Sequence, residues 1–172
     1  LFARANIEVD GRLGAGDVLI GGDYQGLNAS IYNAQYSYIG ENTTISADTL
    51  EQGDGGRIIV WADKGTQFYG DISARGGVLN GNGGFVETSG KLTANLFGAV
   101  DISVASGQGG SWLIDPLDIT ITADAGHNEL DIVTSTWAPT LSGSTVSAGL
   151  LEAALAGGDV TITTASAGGE ME

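Results

Sequence analysis

Cysteine is absent from the 172-residue sequence, so disulfide staples, thiolate zinc sites and a cysteine nucleophile are all excluded. Histidine occurs once, at His127, inside a loop-like stretch of small and polar residues. Without a second imidazole or a thiolate, a transition-metal or haem site has little to work with. No Gly-x-Ser-x-Gly elbow accompanies the histidine, so it reads as an exposed loop residue. Proline is nearly missing, with only Pro116 and Pro139. Basic residues are scarce: Arg4, Arg12, Arg57, Lys64, Arg75 and Lys91 face 21 acidic residues, for a formal charge of −15. These six are scattered and form no patch that could neutralise phosphates, which argues against nucleic-acid binding and against attraction to anionic membranes. No apolar run approaches the roughly 18 residues that would span a bilayer, so no membrane insertion is expected.

Glycine, by contrast, is abundant: 29 residues, about one in six, against a usual share of roughly 7%. With 42% hydrophobic residues and no collagen period, the glycine punctuates a folded chain. It does so with a rhythm. Ile45-Ser46-Ala47, Ile72-Ser73-Ala74 and Ile102-Ser103-Val104 are each followed by a glycine pair, at Gly55-Gly56, Gly83-Gly84 and Gly109-Gly110. After each pair comes an apolar, β-rich run: Arg57 to Trp61, Phe85-Val86, and Ser111 to Ile114. Ile39-Gly40, Tyr69-Gly70 and Phe97-Gly98 precede the three isoleucines. Weaker copies flank this core at Ile7-Glu8-Val9 and at Gly157-Gly158.

A period near 28 residues with short β-branched runs points to a repeat architecture. A propeller blade needs about 40 residues, and a sandwich needs hairpin turns, yet Asn-Gly occurs only within Leu79-Asn80-Gly81-Asn82. The expected fold is all-β: a right-handed parallel β-helix of roughly six coils, with residues 1–172 forming one segment. At about 4.8 Å per coil the stack is on the order of 30 Å long. Glycine serves the corners, where positive φ and close backbone approach are needed. Ile45, Ile72 and Ile102 should form one inward ladder. Two stretches break the rhythm. An insertion at 24–38 lengthens the first interval. At 126–156, which contains no glycine pair, the pattern predicts a loop plus a short helix, since Leu150, Leu151, Ala154 and Leu155 have helical spacing.

The ordered phrases GGDYQG, NAQYSYIGENTTISADTLEQGDGGRIIVWADKGTQFYGDISARGG, GNGGFVETSGK, GAVDISVASGQGG and WLIDPLDITI resemble the β-helical repeat region of large filamentous-haemagglutinin-like bacterial exoproteins. So does the later GLLEAALAGGDVTITT; the likeness spans about 7–164. It implies a non-enzymatic stalk or repeat segment of a secreted, surface-associated adhesin or filament, acting in cell adhesion or extracellular matrix. It also implies export by two-partner secretion through an outer-membrane transporter barrel, and a host-cell, carbohydrate or protein receptor. The family's secretion module, with its asparagine-proline-asparagine-glycine signature, is not among these residues, and the chain reads as a segment of a longer protein.

Some β-helix proteins cleave polysaccharides, and a carbohydrate-active enzyme is the rival reading. Its machinery would come from the acids, among them Asp48, Glu51, Asp54, Asp63, Asp71, Glu87, Asp101, Asp115 and Asp118. The simpler reading places them at solvated corners and outward strand positions. The glycine-rich stretches at 53–56 and 107–110 lack the nine-residue calcium-binding repeat, which leaves no cofactor beyond calcium held loosely by the acidic surface. Tyr24, Tyr32, Tyr36 and Tyr38 cluster in the insertion. They are either a recognition surface for sugar or protein or the clamps that hold the insertion down. Finally, a stack of parallel strands with open ends can add another chain end-on, so a self-assembling fibre subunit is a further alternative.

Overall fold

The computed structural model describes residues 1, 4–123 and 143–164. Fourteen strands and one helix occupy them in the order β1 (Asn6–Glu8), β2 (Asp17–Ile20), β3 (Tyr36–Ile39), β4 (Thr44–Ser46), β5 (Arg57–Val60), β6 (Gly65–Phe68), β7 (Asp71–Ser73), β8 (Phe85–Thr88), β9 (Thr93–Leu96), β10 (Ala99–Asp101), β11 (Gly110–Ile114), β12 (Thr120–Thr122), β13 (Thr145–Ser147), α1 (Ala148–Leu155) and β14 (Gly158–Ile162). The strands form three sheets, ordered β1-β4-β7-β10, β14-β11-β8-β5-β2 and β12-β13-β9-β6-β3. Every pairing is parallel. The chain visits the sheets in a fixed rotation, one strand in each per round, so each strand hydrogen-bonds to its counterpart one round away.

Parallel strands buried on one side carry alternating inward residues. The inward positions line up in columns: Ile7, Ile45, Ile72 and Val100 in the first sheet, Val18, Ile58, Val86 and Trp112 in the second, and Ile39, Phe68, Leu96 and Val146 in the third. Nearly all of them belong to one buried core, with Ile7 half-buried against it. The expected isoleucine ladder is therefore corrected at its third rung. Val100 pairs with Ile72, and Ile102 lies two residues further along, fully buried in the column of Ala74. A slip of two residues keeps a strand side chain on its own face, so Ile102 still points inward. The corner after it is shorter to compensate, and Gly110 still donates to the Ile102 carbonyl as Gly84 does to Ala74 and Gly56 to Ala47.

The glycine pairs work by close approach. A Cβ on Gly56 would sit 2.1 Å from the Gly16 carbonyl oxygen, one on Gly84 2.1 Å from that of Gly56, and one on Gly110 2.3 Å from that of Gly84. Positive φ belongs to a different column, Gly53, Gly81 and Gly107, at 128°, 146° and 140°. One role expected of the pairs is thus divided between two sets of glycines.

Two inward hydroxyls are satisfied at the corners: Ser37 Oγ donates to the Trp61 carbonyl at 2.6 Å, and Thr66 Oγ1, its neighbour in register, donates to that of Ser89 at 2.7 Å. The regular rotation ends after β11. β12 comes next in the chain, yet β13 takes the slot beside β9 and β12 pairs outside it, leaving Ile121 56% exposed. α1 then packs on β10, β13 and β14, with Leu151 and Ala154 buried. The short helix matches the sequence pattern. It packs against β10, the outermost strand of its sheet, and so covers that edge. The loop expected before it, with His127, Trp137 and Pro139, lies outside the described residues.

Candidate functional site

The strands after β2 are interrupted by residues 21–35, which fold back as a strap along the outer side of the β2-β5-β8-β11 sheet. Gly21 accepts from the Ala34 amide at 2.7 Å and closes the strap at its base. A single 3-10 turn, Tyr24–Gly26, forms its tip, capped by Asp23, whose carboxylate accepts from the Tyr24 amide at 2.8 Å and from Asn28 Nδ2 at 2.8 Å. Asp23 is also paired with Arg57 of β5. The Tyr24 ring lies 5.9 Å from that of Phe85 in β8. Trp61 is 3% exposed beneath the strap, so close that a Cβ on Gly26 would lie 2.5 Å from its Nε1. That indole nitrogen donates to Asp63 Oδ1 at 3.2 Å, and Asn33 Nδ2 donates to the same oxygen at 2.9 Å and to the Gly26 carbonyl at 3.0 Å.

Gln25 makes the farthest contacts. Its backbone adopts φ 51°, which turns its amide onto both carboxyl oxygens of Glu87, at 3.2 and 3.1 Å. Its side-chain Nε2 donates to Asp115 Oδ2 at 2.8 Å. Both acids are buried, Glu87 at 0% and Asp115 at 2% exposure. Glu87 occupies an outward strand position between Ile59 and Leu113, both themselves buried. Burial pushes its carboxyl up to about 7, and the nearby Asp115 adds to the rise; the Gln25 amide, the Ser89 hydroxyl and Arg57 pull the other way. Asp23 moves downward instead, held by Asn28 first, then by the Tyr24 amide and Arg57. A cleft of ≈ 500 Å³ opens beside the strap, lined by Gln25, Asn33, Asp63, Lys64, Lys91 and Asp115 among others.

The four tyrosines of the insertion are not gathered into one surface. Tyr24 packs on Phe85 at the tip of the strap, and Tyr32 is fully exposed. Tyr36 and Tyr38 belong to β3, outward on a different sheet. Lys64 Nζ stands 5.7 Å from the Tyr36 ring centroid, and Tyr38 begins an aromatic column with Tyr69 and Phe97 at 5.8 and 6.0 Å. Of the acids expected at solvated positions, Asp48, Glu87 and Asp115 are buried, which corrects that expectation. Asp48 accepts from Ser73 Oγ and from the backbone and side chain of Arg75. That contact raises the Arg75 pKa. Local sequence offers no sign of these partners, because Gln25 lies 62 positions before Glu87 and 90 before Asp115.

No family model matches the chain, and no curated protein matches it either. Among the described residues, no three His, Cys, Asp or Glu side chains converge as metal ligands, and no helix is long and apolar enough to cross a membrane.

Proposed function

We propose that the three parallel sheets are the faces of one right-handed parallel β-helix, and that the chain is a non-enzymatic structural segment of a secreted bacterial surface adhesin or filament. One observation carries this reading: strands about 28 residues apart pair in register in all three sheets. A chain that adds an equal rung to three faces per round is a spacer whose length scales with its number of rounds. The ordered phrases shared with filamentous-haemagglutinin-like exoproteins support the adhesin assignment, and with it the outer-membrane transporter as export partner. The non-enzymatic part of the reading rests on the two acids that line the cleft: Asp115 is buried and held by Gln25, and Asp63 is engaged by Asn33 and Trp61. A glycosidase keeps its pair open to substrate.

Protease treatment of intact cells that make the protein tests the location. Loss of the chain before lysis is the expected result, and protection until lysis would overturn it. A second reading, a fibre subunit that adds end-on, draws on the outermost β12 and β14, each of which pairs on one side only. Electron microscopy across a concentration series decides it: filaments that lengthen with concentration are expected, and short rods throughout would end it.

A further inference from the structure

The strap is anchored at its tip by two acids that have been taken out of water, Glu87 and Asp115, and neither is ion-paired among the described residues. Arg57 is engaged by Asp23 and Asp17, and no ion pair reaches Glu87 among the described residues. The groups facing Glu87 are the Gln25 amide from the strap, Ser89 further along its own segment, Arg57 from β5, and Asp115 beyond β11. A carboxyl so placed holds its proton comfortably and its charge at a cost. We propose that residues 21–35 are a pH-operated strap, seated on the sheet while Glu87 is protonated and released from it as that carboxyl ionises. Release uncovers the face that the strap now seals, with Trp61 at its centre, and leaves the three sheets intact.

The sign follows from the direction of the shift. The folded value lies above the ordinary one, so the stabilisation is complete below the ordinary value of 4.5 and is lost as pH rises through about 7. With the carboxyl near 4.5 when the strap is open and about 7 when it is seated, opening becomes about tenfold easier between pH 6 and pH 8. Asp115 works in the same sense, since a second ionised carboxylate beside Glu87 raises the cost of the first.

Hydrogen exchange on the full chain at pH 6 and pH 8, corrected for the intrinsic pH dependence of amide exchange, reads the strap directly. Protection at 21–35 should fall about tenfold in the wild type, while β6 and β9 on another sheet hold theirs. In Glu87→Gln, which keeps an acceptor for the Gln25 amide but cannot ionise, strap protection should be level across this range. Equal strap protection at both pH values in the wild type, or the same fall in Glu87→Gln, would overturn the proposal. Should Glu87→Gln fail to fold, the wild-type comparison decides alone. A fall confined to the strap supports the proposal, and a fall shared by β6 and β9 overturns it. Carbon-detected titration of Glu87 gives a second reading: a midpoint near 7 supports the switch, and one below 5 refutes it.

Discussion

Replacing Gly84 with alanine puts one methyl group where two rounds of chain meet. The new Cβ would lie 2.1 Å from the Gly56 carbonyl oxygen and 2.8 Å from the Gly55 carbonyl carbon, both backbone atoms that cannot swing aside. Ordinary contact begins at about 3.4 Å, so the two rounds must part by on the order of 1 Å. Parting stretches the 3.0 Å bond from the Phe85 amide to that same Gly56 oxygen beyond useful range. Overpacking of this kind costs about 1–3 kcal/mol. One or two lost backbone hydrogen bonds add roughly 1 kcal/mol each. The gain from a stiffer unfolded chain returns under about 1 kcal/mol. A net loss of about 2–4 kcal/mol is a large share of the roughly 5–15 kcal/mol that holds a domain together. Urea unfolding followed by far-ultraviolet circular dichroism should show the midpoint dropping by about 1–2 M, given a slope near 2 kcal/mol per M. Gly157→Ala is the matched control, because its Cβ meets nothing closer than 3.2 Å. If both variants unfold within about 0.3 M of each other, close approach is not what the paired glycines are for.

Other expectations follow from packing and charge. Phe68→Ala removes a fully buried ring from the middle of an inward column and should cost about 3–5 kcal/mol, whereas Tyr32→Ala, on a fully exposed side chain, should stay within about 0.5 kcal/mol in the same unfolding assay. Asp23 has its pKa lowered by the strap's own hydrogen bonds, so its contribution is present above the ordinary value of 3.8 and is lost as pH falls through the lower folded value. Asp23→Asn should therefore weaken strap protection in hydrogen exchange at pH 6, with the difference from wild type shrinking under strong acid.

The period was legible because the same glycines must recur wherever two rounds touch, and the chain repeats that demand at Gly56, Gly84 and Gly110. Register was legible only to within a face. Ile72-Ser73-Ala74 and Ile102-Ser103-Val104 look equivalent as text, but hydrogen bonding pairs Val100 with Ile72, and side-chain alternation cannot distinguish a slip of two. The displaced β12 was illegible for a similar reason: Thr120-Ile121-Thr122 and Thr145-Val146-Ser147 carry one pattern, and either satisfies the slot beside β9. The strap site was hidden more deeply. Glu87 stands at an outward strand position, where an acid is normally solvated, and its cover arrives from the loop after β2, two strands earlier in its own sheet. Tyrosine content drew attention to the right insertion, though the contacts that seat it come from Asp23, Gln25 and Asn33.

The absence of cysteine makes the central claim open to direct test by paired substitution. Thr44 and Asp71, Arg57 and Phe85, and Gln67 and Asn95 are register partners, one pair in each sheet, 27 or 28 residues apart. Neighbouring parallel strands lie about 4.8 Å apart, within the Cα spacing a disulfide accepts. Replacing each pair by two cysteines should give a chain that oxidises to an intramolecular cross-link in all three sheets. The control pair Gln67 and Ala94, whose side chains point to opposite faces, should not. Failure of any one register pair to close, or equal closure of the control, would contradict the stacked parallel arrangement.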